Sequence, residues 1–375
     1  MQLKHFENIA PICPRCRADG RGDIALILAT AERQEGNDIL EGILHCTHTV
    51  CRLEYPVIDG IPVIVPNVAR YLADNLWYIT QREDLSETLE SLLGDAAGPG
   101  SAYDSTRYHL SSYAHDHWAE FDPAETTAPE QPAAPGAVAR CLVAGLNLLG
   151  PDLPPGPALD IGCSVGRSTF VLAERTTGLV LGVDLNFLML RLARRVLTQR
   201  QVVYPKRRIG LVYDRRTFAV PVTTADRVDF WACDAMALPF REHHFAVTAA
   251  LNILDCVPSP QSLLTAIGDG LRPGGGAVLA TPYDWSGTVT QPQAWIGGHS
   301  QRGTSRGAAE PRLRALLNEN EETTFRIAGE DTDFPWHVRL HDRGTMTYST
   351  HLLALRANRP ASANRPASGN RKDNR

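Results

Sequence analysis

The chain has 375 residues, 43% of them hydrophobic, with a formal net charge of -5 and a pI near 6.2. That balance supplies a substantial core and excludes a global cationic field of the kind that gathers nucleic acid. No apolar run reaches the length of a membrane span. The polar start Met1-Gln2-Leu3-Lys4-His5-Phe6-Glu7 lacks the apolar stretch of a secretion signal. A cytoplasmic setting is therefore expected, with the 8 cysteines as thiols or metal ligands rather than disulfides.

Residues 1–66 read as a small β domain. Cys13-Pro14-Arg15-Cys16 is a CxxC knuckle, and Cys46 and Cys51 form a second, wider pair. This spacing suits one structural zinc held by four thiolates. His48 lies inside the second pair, so a Cys3His set is also open, as is a ribbon with free thiols. Asp59-Gly60 between two β-rich runs is a hairpin turn signal. Residues 67–136 read as a helical segment and linker. Leu72–Leu93 forms one or two amphipathic helices, and Gly94–Gly100 is a small-residue linker. Tyr108–Trp118 is an aromatic, histidine-rich helix that either covers a site or packs on the next domain. Residues 122–136, rich in Pro, Ala and Glu, read as a flexible linker.

The main domain spans 137–356. A helix over Val138–Leu149 precedes an apolar strand that ends at Asp160 and Ile161. The turn Gly162-Cys163-Ser164-Val165-Gly166 follows, and a helix opens at Arg167. In open α/β sheets, ligands lie beyond the carboxyl ends of strands at such turns. Gly162, Ser164 and Gly166 let a ligand lie against the backbone, and Asp160 favours a cationic or hydroxyl-bearing ligand over a pyrophosphate. A second strand, Leu179–Asp184, ends in an acid placed to bind ribose hydroxyls, with Leu185 next to it. The helix Asn186–Gln199 carries Arg191, Arg194 and Arg195, and the stretch 206–216 is basic. That stretch is either a nucleic-acid patch or a solvated hairpin.

The third strand, Val228–Cys233, leads to Asp234, whose carboxylate suits an adenine amino group, and to Ala235, which offers its backbone N–H. The fourth, Phe245–Leu251, leads to Asn252 and Asp255. Arg272-Pro273-Gly274-Gly275-Gly276 turns into a fifth strand at 277–280. Runs at 323–330 and 345–355 supply a sixth and a seventh. The tail 357–375 repeats Asn-Arg-Pro-Ala-Ser, is basic, and is expected to be disordered.

The D-x-G-x-S-x-G pattern of 160–166, Asp184, the D-A-x-x-L-P-F string of 234–240 and the Arg272–Gly275 turn resemble, in this order, the class I S-adenosylmethionine (SAM) methyltransferases. The resemblance implies an α/β, Rossmann-like fold with a seven-stranded mixed sheet, and SAM as cofactor. It places Asp160, Gly162, Ser164, Gly166, Asp184, Leu185, Asp234, Ala235 and Asn252 around SAM. Over 158–300 the chain further resembles the 4-mercaptohistidine N-methyltransferase module of ovothiol-synthesis enzymes. Thr281-Pro282-Tyr283-Asp284-Trp285 and Trp295-Ile296-Gly297-Gly298 carry that likeness, while Asp333–Arg343 departs from it. It implies a small-molecule acceptor methylated at an imidazole or amine nitrogen, with Asp255, Tyr283 and Trp295 as catalytic candidates. Trp285 and Trp295 either stack on the acceptor or pack in the core. His337, Arg339 and His341 either bind a substrate carboxylate or sit on a solvated strand face. Residues 11–66 resemble zinc-ribbon-like methyltransferase-activator proteins, which implies structural Zn2+ and a protein contact through this domain. Two other functions fit the same residues. An RNA base methyltransferase would use the basic stretch and the ribbon, and a non-catalytic SAM-fold scaffold would use the ribbon for docking.

Overall fold

The computed structural model describes residues 1–127, 131, 133–319 and 325–357. The first part of the chain holds two short helices, α1 (Leu3–Ile9) and α2 (Pro14–Ala18), and four strands. These are β1 (Leu26–Glu35), β2 (Asp38–Cys46), β3 (Glu54–Ile58) and β4 (Ile61–Ile64), an antiparallel meander. The β3–β4 turn uses Asp59 and Gly60 at φ of 51° and 76°, the left-handed pair that suits a two-residue hairpin. Gly60 is required twice, since a Cβ there would lie 2.5 Å from the Arg194 guanidinium.

Three helices follow, α3 (Val68–Ile79), α4 (Glu87–Ala97) and α5 (Ala102–Trp118), and then α6 (Ala137–Leu149). The expected linker at 94–100 is partly helical. Gly94 is buried inside α4, where a Cβ would lie 2.6 Å from the Arg107 guanidinium. Glu125, at the start of the expected flexible linker, is pinned by His115 at 3.0 Å and Lys206 at 3.1 Å. Residues 128–130 and 132 of that linker lie outside the described residues.

The remaining elements alternate as a doubly wound fold requires. They are β5 (Ala158–Ile161), α7 (Arg167–Arg175), β6 (Val180–Asp184), α8 (Phe187–Gln199), the hairpin β7 (Gln201–Ile209) and β8 (Val212–Ala219), β9 (Val228–Cys233), β10 (Phe245–Leu251), α9 (Pro260–Gly270), β11 (Leu271–Thr281), α10 (Ala309–Glu319), β12 (Phe325–His341) and β13 (Gly344–Ala357). Every residue of β5, β9 and β10 is buried, as expected for parallel strands covered on both faces. Their order is β9-β6-β5-β10-β11-β13-β12, with β13 antiparallel to both neighbours. This is the expected seven-stranded mixed sheet. The order reverses between β5 and β10, which opens the ligand crevice at their carboxyl ends. The edge hairpin is longer than the runs read at 323–330 and 345–355. Its polar tip around His337–His341 is β-structure, stitched to the β7–β8 hairpin by Arg339 on the Arg207 carbonyl (2.7 Å) and by the Asp342 amide on the Arg208 carbonyl (3.1 Å). Residues 323–324, and the tail from 358 on, lie outside the described residues.

The meander does not stand apart from this sheet. β4 pairs in parallel with β9, Val63 opposite Ala232 and Ile64 opposite Cys233, so the two sheets form one of 11 strands. Otherwise β9 would present an open apolar edge. Buried charges secure the joint. The Arg194 guanidinium lies 3.2 Å from Asp229 and also bonds Asp38, while the Gln2 amide (2.8 Å) and the Trp231 indole N–H (3.1 Å) donate to Asp229. Burial alone would push the Asp229 carboxyl up, but the cations around it, Arg194 among them, hold it below its ordinary value. Arg191 adds a bond to Asp59 at 2.9 Å.

Candidate functional site

The residues expected around the donor begin with the β5–α7 turn. Gly162, Ser164 and Gly166 all take positive φ, 72°, 51° and 89°. A Cβ on Gly162 would lie 2.7 Å from Ile253, and one on Gly166 would lie 2.8 Å from both Ala193 and Phe230. Trp118 at the end of α5 locks the turn by donating its indole N–H to the Val165 carbonyl at 2.9 Å. His117 accepts the Arg167 amide at 3.3 Å, and burial lowers its imidazole to about 3, so it serves as a neutral cap of α7. This half of α5 packs on the domain. Tyr113, about one turn earlier, differs. The residue is 46% exposed, and burial of its hydroxyl end pushes the phenol up to about 12. Earlier in the same helix, His109 lines an opening beside Leu185, so one helix both packs and borders a cleft.

The expected acids occupy different settings. Asp184 ends β6 and accepts the Ser164 amide at 2.9 Å and the Asn186 amide at 2.8 Å, which ties the second strand end to the glycine turn. Beside it, Leu185 is 44% exposed, and its carbonyl is held by the Tyr71 hydroxyl of α3 at 2.8 Å. A cleft of about 340 Å³ opens here, lined by Asn75, Tyr78, His109, Leu185, Asn186 and Met189, within the size range of small-molecule sites. Asp234 and Ala235 are half-buried beyond β9, where Asp234 accepts the Met236 amide at 2.9 Å. Asn252 follows β10 with φ of 52°, and its side-chain oxygen is buried with no partner. An unpaired buried acceptor is unfavourable unless a ligand donor meets it. A cradle closed to a Cβ at Gly162 and Gly166, and an unpaired acceptor at the end of the neighbouring strand, fit a ligand with an amino group, as SAM has.

Asp160 turns away from this surface. It is buried and accepts the Ser168 hydroxyl at 2.7 Å and the Thr169 hydroxyl at 2.6 Å. Burial raises its carboxyl to about 6 despite those bonds. A carboxyl that is harder to ionise in the fold than in the open chain, where it titrates at about 3.9, gives its full stabilisation below that value. The contribution is lost as pH rises through the folded value. Asp160→Asn keeps an acceptor for both hydroxyls and removes the charge. In SAM-free protein it should exceed the wild type in stability by roughly 2–3 kcal/mol above pH 6, with the gain vanishing near pH 4. Urea unfolding across this range measures it, and a pH-independent difference would refute the charge argument.

The residues expected on the acceptor side lie in and around the loop after β11. Asp255, buried and raised to about 6 by burial, accepts the Asp284 amide at 2.7 Å through its carboxylate, and its carbonyl accepts the Ser286 amide at 3.1 Å. It therefore pins the loop. Tyr283 has φ of 58° and donates its amide to Thr281 at 3.1 Å. Trp285 and Trp295 stack on each other with planes 10° apart and centroids 5.9 Å apart, and the Trp295 indole donates to the Thr290 carbonyl at 2.8 Å. One face of each ring is thus spent inside the loop. Sequence reasoning missed Tyr348, which donates to Asp284 at 3.0 Å, and His351, which meets the Tyr283 hydroxyl. His351 follows the polar run Thr347–Thr350 and precedes the apolar Leu352–Leu355, so no local pattern singled it out.

Cys13, Cys16, Cys46 and Cys51 converge, their sulfurs all within 4.8 Å of one another. The Cys13–Cys51 and Cys16–Cys46 separations are 3.9 and 3.6 Å. A tetrahedral zinc with bonds of about 2.3 Å sets sulfurs roughly 3.8 Å apart, so the donor set fits the metal. His48 is spent elsewhere, since its Nδ1 accepts the Val50 and Cys51 amides at 3.2 and 3.3 Å.

The basic stretch forms the β7–β8 hairpin, and its cations are engaged within the protein. Lys206 meets Glu125, Arg208 meets Asp214 and Asp342, Arg215 meets Glu90, Arg216 meets Asp122, and Arg207 lies over Tyr108. Among the described residues no helix is long and apolar enough to cross a membrane.

Residues 159–279 match the family described as "Methyltransferase domain". Trans-aconitate 2-methyltransferase of Sinorhizobium fredii is 31% identical over 133 residues, which cover 35% of this chain and 40% of that protein. Among solved structures, phosphoethanolamine N-methyltransferase 2 of Haemonchus contortus, in complex with SAM, is 24% identical with a TM-score of 0.29, covering 38% of this chain and 28% of that one. A SAM-dependent methyltransferase from Mesorhizobium loti is 18% identical with a TM-score of 0.36, covering 59% and 98%. The chain thus spans under half the length of the first two.

Proposed function

We propose, from the premise that residues 159–279 form a class I SAM-dependent methyltransferase domain, that the protein transfers the methyl group of SAM to a small molecule at an imidazole or amine nitrogen. The observation that carries the acceptor class is the loop from Tyr283 to Gly298. It sets Asp255, Asp284 and aromatic rings at the carboxyl ends of β10 and β11. Carboxylates and ring faces suit a flat or cationic nitrogen compound and repel a phosphate backbone. The internally paired hairpin cations weigh against an RNA acceptor. The likeness to the 4-mercaptohistidine N-methyltransferase module supports the finer form of the reading, an imidazole nitrogen of a mercaptohistidine-like compound.

Bound SAM supplies a methyl already activated on a sulfonium for in-line displacement. The chain's work is orientation and exclusion of water. The glycine turn and Asp184 would hold the nucleoside end, with Asp234 and Ala235 at the adenine. The Asn252 oxygen would take an N–H of the donor's amino group. The four cysteines would hold a structural zinc remote from this chemistry.

Incubation with methyl-labelled SAM and separate pools of metabolites, RNA and protein tests the reading. Label should enter small imidazole or amine compounds. Label in RNA would overturn it, and SAM binding with no labelled pool would favour the scaffold. Asp184→Ala should weaken SAM binding by about 1.5–3 kcal/mol, the loss of charge-assisted hydrogen bonds. Unchanged affinity by calorimetry in a folded variant would remove Asp184 from the donor site.

A further inference from the structure

We infer that Tyr283, His351 and Glu330 form a proton relay that removes the proton displaced from the acceptor nitrogen during methyl transfer. The inference rests on the nitrogen-acceptor reading above. The chain of contacts is continuous. The Tyr283 hydroxyl lies 2.6 Å from His351 Nδ1, His351 Nε2 lies 3.1 Å from Glu330 Oε2, and Arg314 holds that carboxylate at 2.9 and 3.2 Å. Four elements bring these groups together. Tyr283 follows β11, His351 is on β13 opposite Thr281, Glu330 is on β12 and Arg314 on α10. His351 is 1% exposed, whereas Glu330 is 33% exposed, so the path runs from the cleft-side loop to solvent.

The charged and titratable groups facing His351 are Tyr283, Glu330, and Arg314 and Glu310 of α10. Burial lowers the His351 imidazole below its ordinary value, so it is neutral at pH 7 and has a nitrogen free to take a proton. Burial raises the Tyr283 phenol, which excludes a preformed phenolate as the base. Tyr283 can then act only by passing one proton on as it takes another. In the step, the acceptor N–H proton moves to the Tyr283 oxygen while the phenol's own proton moves to His351 Nδ1. The freed lone pair on nitrogen bonds the methyl carbon, the carbon–sulfur bond breaks, and its electron pair stays on sulfur. The imidazolium so formed is paired with Glu330, through which its Nε2 proton leaves to water; once product has left, a proton re-enters at Nε2 by the same path and the Nδ1 proton leaves through Tyr283 to the emptied cleft, which restores the resting tautomer. Tyr283 is the residue that touches the acceptor, and His351 and Glu330 act through it as positioning residues.

The relay requires one tautomer at rest, Nδ1 bare to accept from Tyr283 and Nε2–H donating to Glu330. NMR of the full chain with 15N-labelled histidine reads this directly, the His351 signals being identified by their response to Tyr283→Phe. A proton on Nδ1 would overturn the proposal, because Tyr283 would then be the acceptor. In the labelled-SAM assay, with the compound that takes up label, Tyr283→Phe and His351→Gln should each lower kcat by roughly 10²–10⁴-fold. SAM affinity should stay unchanged, the double variant should be no slower than the slower single, and the His351→Gln rate should recover as pH rises. A full wild-type rate in His351→Gln, or losses that multiply, would refute the relay. If no pool takes up label, the methyltransferase reading fails, while the tautomer still decides the relay.

Discussion

Arg194→Met should destabilise the folded chain by about 3–5 kcal/mol, the range for removing one partner of a buried ion pair. Arg194 and Asp229 are 5% and 0% exposed in their side chains. Without the guanidinium, Asp229 keeps its charge at the joint between β9 and the meander, with the Met1 ammonium as the main remaining cation and the Gln2 and Phe230 amides and the Trp231 indole as donors. Asp38 loses one of its two cations and keeps the Met1 ammonium at 3.1 Å. Urea denaturation of the full chain measures the loss. The double variant Arg194→Met with Asp229→Leu should recover much of it, because a matched apolar pair avoids the uncompensated charge. A loss below about 1 kcal/mol would mean that water reaches the joint and the pair acts as a surface bridge.

Elemental analysis of protein made with zinc supplied should give close to one zinc per chain, and Cys46→Ser should abolish it. Structural zinc contributes about 10–16 kcal/mol of apparent folding energy in small zinc modules, so this is the largest effect expected from any single substitution here. The four sulfurs come from α2, the loop before it, the end of β2 and the loop after it. The damage should spread beyond the meander, because β4 lies against β9, whose exit carries Asp234. Hydrogen exchange should therefore rise first in β1–β4 and then in β9, and SAM affinity should fall. Metal-free protein with an unchanged exchange pattern would favour a ribbon that folds on free thiols.

Much of the donor side was legible in the residues. Gly162, Ser164 and Gly166 announce left-handed or crowded backbone, and Asp184 ends a run of buried apolar residues. Both are local properties with a period or a steric rule behind them. The acceptor side was legible only as residue types. Trp285 and Trp295 were read equally well as platforms or as packing, and their stacking on each other depends on how the loop folds back. Asp160 shows the same limit. Its position at a strand end was clear, while the direction of its carboxylate depends on two hydroxyls of α7, one turn beyond the glycines.

By itself the sequence determined the order of strands and helices, the turn at Asp59-Gly60, the glycine cradle, the pairing of cysteines and the alternation that makes a doubly wound sheet. Each follows from hydrophobic period, turn chemistry or backbone sterics within a few residues. The tertiary structure alone decided that the meander joins the main sheet, that the basic hairpin is neutralised, that His48 caps a turn, and that His351 and Glu330 stand behind Tyr283. These depend on contacts between residues far apart in the chain. Arg194 meets Asp38, and Tyr283 meets His351, only once the intervening chain has paid the entropy of closing those loops. No local pattern encodes which distant partner a buried charge or hydroxyl will find.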